Sequence, residues 1–278
     1  MLTNDADCLS SILRALPPRE LAKCECVCAD MHLASTADIW RDAGQRVVDV
    51  RVTAELVKTL SRNEWKQLCR MADRIGKMQE AVGFRDCQSS TTDHFTERAS
   101  NVLTPSRCCE GRPKCLEECG CWRGAACYWS SAAIEDGALA FESLSLTPPG
   151  PARAWILVTE LLIRPYRAFW HPGAPVYAPR EAAARIRGRA GSESPTVCTI
   201  KQPVAHQADA LQTIASFDPP LLLTPHCTVE IELCGAVQRC PAEFGTTDFY
   251  VCLSHVCARG CCECSISTTL ERTSINSV

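Results

Sequence analysis

Apolar residues first recur at helical spacing. Leu9, Ile12, Leu13 and Leu16 fall at i, i+3, i+4 and i+7, one stripe of a short helix, and Pro17-Pro18 stops it because a residue before proline is pushed out of the α region. Pro18 also suits the first position of a new helix, where no N–H is needed, and Leu21, Cys24, Val27, Cys28 and Met31 then line one face. Ser35 or Thr36 offers a cap for a third helix carrying Ile39 and Trp40, with Asp38 in its first turn to complement the helix dipole. A trio this small buries too little surface to stand alone, so its stripes must close on each other and on something else. The helical period continues over 53–82: Leu56, Val57 and Leu60, then Ser61 with Glu64 as a capping box, then Trp65, Leu68, Cys69, Ala72 and Ile75. From Arg85 to Asn101 polar residues dominate, the composition of a linker or an irregular entry into a second domain.

Farther on, the period falls to two. In "ARAWILVTELLI", residues 152–163, Trp155, Leu157, Thr159, Leu161 and Ile163 oppose Ile156, Val158, Glu160 and Leu162, a strand apolar on both sides as in a sandwich interior. "TVEIELCG" alternates cleanly, with Val229, Ile231 and Leu233 inward and Glu230 and Glu232 outward. "FYVCLSHV" and "AARIRGR" read as two further strands. Prolines at 165, 172, 175, 179, 203, 219, 220 and 225 punctuate these runs, which suits short strands and excludes long helices. The expected fold class is α+β, helices first and an all-β sandwich second.

Composition narrows the partners. The chain has 278 residues, 46 % of them hydrophobic, enough for a sizeable core, and its formal charge of −3 gives no long-range pull toward nucleic acid or an anionic membrane. "MLTNDADCLSS" has acidic residues where a secretory leader has basic ones, and the longest apolar stretches are far short of the roughly 20 residues of a membrane helix. The expected location is cytoplasm or nucleus, with no nucleic acid and no membrane as partner. In that setting the 21 cysteines read as free thiols, small buried residues or metal ligands rather than a disulfide framework.

The residues carry two resemblances. "LSSILRALPPRELAKCECVCADMHLASTADIW", residues 9–40, resembles an F-box: a helix ending in Leu-Pro, a "PPxxL" corner, a "VC" pair and a closing Ile-Trp, with Ile12, Leu16, Pro17, Leu21, Val27, Cys28 and Trp40 in register. The usual Leu-Pro opening is replaced by Asn4-Asp5. "YWSS" at 128–131, "VTELLIRPYRAFWHPGAPVYAPREAAARIRG" at 158–188, "VEIELCGAVQR" at 229–239 and "FYVCLSHV" at 249–256 resemble the second half of a group of plant and algal F-box proteins, and the strand pattern is similar to galactose-binding or discoidin-type jelly rolls. The resemblance implies a three-helix F-box at 1–48, a helical linker at 49–84, and a galactose-binding-like jelly-roll sandwich at 97–260 with a Cys-rich insertion at 104–127. A disordered tail at 261–278 is expected from its polar composition. It implies a substrate-recognition subunit of an SCF-type, cullin-based ubiquitin ligase. The seven F-box residues named above would contact a Skp-type adaptor, and through it a cullin, while the sandwich holds a protein target of unknown identity.

Candidate chemistry is sparse. No Gly-x-Ser-x-Gly, His-Glu-x-x-His, phosphate-cradling loop or dinucleotide fingerprint occurs, so neither an enzyme nor a cofactor is expected, and His255, on the face of Val251 and Leu253, reads as a satisfied core histidine. Arg164, Tyr166, Phe169, Trp170, His171 and Tyr177 read either as a recognition or sugar-stacking platform or as the packed corner of a sandwich. Arg185 and Arg187 read either as part of a basic strip receiving a phosphate or acidic peptide, or as a solvated strand face. Cys108, Cys109, Cys115, Cys119, Cys121 and Cys127 lack the Cys-x2-Cys pairs of structural zinc sites, so no metal is assigned to them. A metal- or redox-responsive protein, in which these cysteines act with Cys257, Cys261, Cys262 and Cys264, and a carbohydrate-binding module remain the alternatives to the ligase reading.

Overall fold

The computed structural model describes residues 3–27, 29–75, 77, 79–105, 126–151, 154–168, 171, 173–189, 195–240 and 248–262. Six helices come first: α1 (Thr3–Ala15), α2 (Pro18–Val27), α3 (Ala29–Ala34), α4 (Ala37–Gln45), α5 (Ala54–Val57) and α6 (Arg62–Ile75). The strands follow as β1 (Glu80–Val82), β2 (Asp86–Ser89), β3 (Trp129–Ser130), β4 (Phe141–Thr147), β5 (Ile156–Pro165) and β6 (Pro179–Arg187). Then come β7 (Val197–Cys198), β8 (Gln202–Pro203), β9 (Gln212–Leu223), β10 (Thr228–Ala236) and β11 (Cys252–Cys262). No helix among the described residues is long and apolar enough to cross a membrane.

Pro17 ends α1 and Pro18 opens α2, as the sequence predicts. The second predicted helix is described as α2 and α3 on either side of Cys28, which lies outside the described residues, and Val27 is 72 % exposed instead of sharing the buried face of Leu21. α4 begins after the extended Thr36, whose side chain makes no capping bond. α6 opens on the predicted box, where the Ser61 N–H donates to Glu64 Oε2 at 2.7 Å and the Glu64 N–H to Ser61 Oγ at 3.4 Å. α4 lies close on α6 because Gly44 has no side chain; a Cβ there would sit 2.5 Å from the Trp65 ring.

One carboxylate ties the helices together. Glu25 on α2 accepts from Trp40 Nε1 on α4 at 2.7 Å and from Arg62 Nη2 on α6 at 2.7 Å, and it also pairs with Lys66 Nζ and Ser35 Oγ. Its side chain is 8 % exposed. Burial pushes the carboxyl up, but the hydrogen bonds from Lys66, Ser35, Trp40 and Arg62 more than offset this and hold it at about 2.

The strands form two antiparallel sheets. One runs β1-β11-β5-β9 with β3 also on β11, and the other runs β2-β4-β10-β6-β7 with β8 also on β6. Leu144, Leu146, Ile186, Val229, Ile231 and Leu233 of the second sheet meet Ile156, Val158, Leu161, Ile163, Leu221 and Leu253 of the first in the central core. Period two thus reads correctly in β10: Val229, Ile231 and Leu233 are fully buried, and the alternating glutamates reach outward.

β5 is apolar on both faces for a reason the sequence pattern does not show. Only one face looks into the sandwich; on the other, Trp155, Leu157, Leu222 and Cys261 pack with Leu13, Leu21, Trp40, Trp65 and Leu68 of the helices. The helices therefore form a third layer on the outer face of the β5–β9–β11 sheet. Asp49 reinforces this: its N–H donates to the Pro220 carbonyl at 2.8 Å, and its own carbonyl accepts from the Leu222 N–H at 2.8 Å.

Several expectations are corrected by this arrangement. Leu21 and Trp40, expected to face a partner, are 0 % and 2 % exposed inside the chain's own core. Leu16 is half-buried against that core, Pro17 and Ile12 are exposed, and Cys28 lies outside the described residues. The sandwich begins at Glu80 rather than residue 97, because β1 and β2 pair into its two sheets. The residues expected as a tail begin inside β11, where Cys261 and Cys262 pair with Leu157 and Ile156.

Candidate functional site

A cavity of 240 Å³ opens at the end of the sandwich where β5 leaves and β3, β6 and β11 begin. It is lined by Asp93, Glu97, Tyr128, Tyr166, Ala168, His171, Tyr177, Cys240, Tyr250 and Cys252. All four tyrosines of the chain are in this wall. They come from separate segments: Tyr128 precedes β3, Tyr166 follows β5, Tyr177 precedes β6 and Tyr250 precedes β11.

Backbone bonds fix this convergence. The Tyr166 N–H donates to the Cys252 carbonyl at 2.9 Å, the Cys252 N–H to Tyr177 at 2.9 Å, and the Tyr177 N–H to Tyr166 at 3.0 Å, closing a ring of three segments. Arg167 braces the loop from behind, with Nη1 on the Ala174 carbonyl at 2.9 Å, Nη2 on the Gln207 carbonyl at 3.1 Å and Nε on Asp209 at 3.1 Å. Asn101 Nδ2 donates to the carbonyls of Thr96 at 2.7 Å and Tyr128 at 2.9 Å, joining the acidic loop to the first tyrosine.

The rings of Tyr128 and Tyr166 stack with centroids 4.0 Å apart and planes 12° from parallel. The Tyr128 hydroxyl donates to Glu97 Oε1 at 2.6 Å, and the Tyr177 hydroxyl pairs with His171 Nδ1 at 2.6 Å. Burial pushes the Glu97 carboxyl up; the Tyr128 hydrogen bond opposes this and the Asp93 charge adds to it. Burial, with Glu97 next, raises the Tyr128 phenol far above its usual range. Tyr177 rises mainly through burial, and so do the Cys240 and Cys252 thiols. At neutral pH the phenols and thiols therefore stay protonated, and the thiols are poor nucleophiles. The site offers aromatic faces, hydroxyls and carboxylates, a set suited to binding.

Of the residues singled out from sequence, the structure brings Tyr166, His171 and Tyr177 into the cavity. Phe169 and Trp170 lie outside the described residues. Arg164 sits beside His255 in the β5–β11 register, away from this wall, with its Nε buried and lacking a hydrogen-bond partner among the described residues. His255 is buried and its Nδ1–H donates to the Val102 carbonyl at 2.8 Å, a core histidine. Arg185 and Arg187 form a charge ladder on β6 with β10, Arg185 reaching Glu232 at 2.5 Å and Arg187 reaching Glu230 at 3.0 Å, so these two arginines already have carboxylate partners.

Sequence reasoning missed Asp93, Glu97, Tyr128, Ala168, Cys240, Tyr250 and Cys252 as site residues. The usable signal was the tyrosines themselves: each stands just outside a strand, where a side chain reaches a loop cluster instead of the core. Of the cysteines weighed for metal, Cys108, Cys109, Cys115, Cys119, Cys121 and Cys264 lie outside the described residues, and Cys127 is buried beside Tyr128. Cys257 and Cys261 are buried strand residues with thiols raised by burial, and no three His, Cys, Asp or Glu side chains among the described residues converge as a metal site.

No family model matches the chain, and no curated protein matches it. Among solved structures it is similar to chitosan-binding module 1 derived from a chitosanase/glucanase from Paenibacillus sp. IK-5, 9 % identical, covering 65 % of this chain and 100 % of that one at a TM-score of 0.38. It is also similar to CBM32-3 from a family 31 glycoside hydrolase of Clostridium perfringens, 9 % identical, covering 65 % and 95 % at 0.38. The β-galactosidase BgaA of Streptococcus pneumoniae is 8 % identical, with coverage of 64 % and 97 % at 0.36. At these TM-scores the likeness carries no argument, and the sandwich rests on its own strand pairing.

Proposed function

We propose that the chain is a non-enzymatic binding protein whose sandwich takes one residue of a carbohydrate in the tyrosine pocket. The observation that carries this reading is the gathering of every tyrosine in the chain at one 240 Å³ cavity with two carboxylates at its side. A tyrosine offers an apolar face to the C–H side of a sugar and a hydroxyl to its polar edge, and a carboxylate accepts from sugar hydroxyls. The cavity is at the small end of ligand pockets, suited to a single ring rather than an extended chain. The test is glycan binding by the full chain and by Tyr250→Ala, which alters the half-buried ring of the four. The expected result is a glycan class held by the native chain and lost by at least about tenfold in the variant. Equal retention by both proteins, or no glycan held by either, would overturn the reading.

A second reading concerns the helical layer and is compatible with the first. Ile12, Val27 and Leu33 on α1, α2 and α3 are 55 %, 72 % and 74 % exposed, although the core beneath them is complete. Large apolar side chains left in water favour a protein partner. With the F-box resemblance, this supports a substrate-recognition subunit of an SCF-type ubiquitin ligase that docks a Skp adaptor through these helices. The informative variants are Ile12→Asp and Val27→Asp, which leave the core untouched. Loss of co-purification with the adaptor supports the reading, and unchanged co-purification refutes it.

A further inference from the structure

The tyrosine pocket reads positive charge. We infer that its ligand group is an organic ammonium, and, in a step that rests on the carbohydrate reading above, that the ligand is an amino sugar. Asp93 and Glu97 are on the wall with the four tyrosines, and no lysine or arginine is among the described residues that line it. Aromatic faces attract a cation through the ring quadrupole, and most strongly when water is excluded. The carboxylates act in the same direction. A neutral ligand that covers them takes away their water and leaves their charge unanswered, whereas an ammonium neutralises it. A phosphate or uronic acid is repelled. The order of preference is therefore cationic, then neutral, then anionic.

The groups facing Glu97 set the pH dependence. The Tyr128 hydroxyl holds it, Asp93 repels it, His94 attracts it from outside the wall, and His171, Cys240, Cys252 and the other tyrosines complete the cavity. The phenols Tyr128 and Tyr177 and the thiols Cys240 and Cys252 are displaced upward and stay neutral, so the charges that change on acidification are those of the carboxylates Asp93 and Glu97. Burial has raised the range in which Glu97 takes a proton. Binding of a cation should weaken as pH falls through that raised range.

The experiment is calorimetric titration of the full chain at fixed ionic strength with three probes: a glucosamine trimer, an N-acetylglucosamine trimer and tetramethylammonium chloride. Glu97→Gln and Asp93→Asn are titrated alongside, the second at an exposed rim position where folding is not at stake. The expected result is binding of the glucosamine trimer, at least about tenfold weaker binding of the N-acetylated trimer, and a similar loss in each variant. Equal affinity for the two trimers overturns the charge inference and leaves the carbohydrate reading standing. Binding of tetramethylammonium without either sugar overturns the carbohydrate reading and the amino sugar with it, and supports the ammonium. No binding of any probe overturns both.

Discussion

Replacing Glu25 with glutamine keeps the shape of the side chain and removes its charge from a place where Arg62 and Lys66 both point at it, at side-chain exposures of 24 % and 15 %. The folded chain holds this carboxyl at about 2 against an ordinary 4.5, a difference equivalent to roughly 3 kcal/mol of stability at neutral pH. Removing one partner of a buried ion pair costs about 3–5 kcal/mol, because the charges left behind have no water to return to. We therefore expect Glu25→Gln to lower unfolding stability by about 3 kcal/mol, read by urea titration of tryptophan fluorescence, with Trp40 donating to the altered group. The folded value is depressed, so the contribution is complete above 4.5 and fades as pH falls toward about 2. The gap between native chain and variant should close over that same interval. A gap under about 1 kcal/mol at neutral pH, or one unaltered by acid, would refute the reasoning.

Other expectations follow from packing. Leu21→Ala should cost about 2–5 kcal/mol because Leu21 is wholly buried, whereas Val27→Asp should stay within about 0.5 kcal/mol, a contrast measurable by the same denaturation. Gly260→Ala should destabilise the chain by at least about 2 kcal/mol, since the new Cβ would overlap the Leu157 backbone carbonyl across β5 and β11. Brief maleimide treatment of native protein, read peptide by peptide, should label Cys8, Cys26 and Cys198, which are exposed. It should spare Cys69 and Cys87, whose thiols burial raises to about 12; labelling of these two without denaturant would show that the core opens readily.

The elements legible in the sequence are those whose pattern is set by neighbours close in the chain. β10 alternates because one face meets the core and the other water, and the start of α6 is written in Ser61 and Glu64. β9 was not legible. Pro219 and Pro220 read as a break, yet they fall where its pairing with β5 skips from Ser216 to Leu221, a bulge in which proline removes no ladder bond. β1 and β2, of three and four residues, are too short to show a period. The two-faced β5 was seen, but its cause lies in helices α1, α2, α4 and α6, far earlier in the sequence. The site was half legible for the same reason: Tyr166, His171 and Tyr177 are neighbours in one loop, while Tyr250 is brought to them by the ring of backbone bonds among Tyr166, Tyr177 and Cys252, and Asp93 and Glu97 by bonds to Ser130 and Tyr128.

The helical layer on the outer face of the β5–β9–β11 sheet makes the two halves inseparable as cassettes. A fragment starting at Glu80 would leave Trp155, Leu157, Leu222 and Cys261 uncovered, an oily patch that invites clumping. A partner gripping the helices would hold the tyrosine-lined end of the sandwich at a fixed angle, like a tool on a rigid handle rather than a weight on a string.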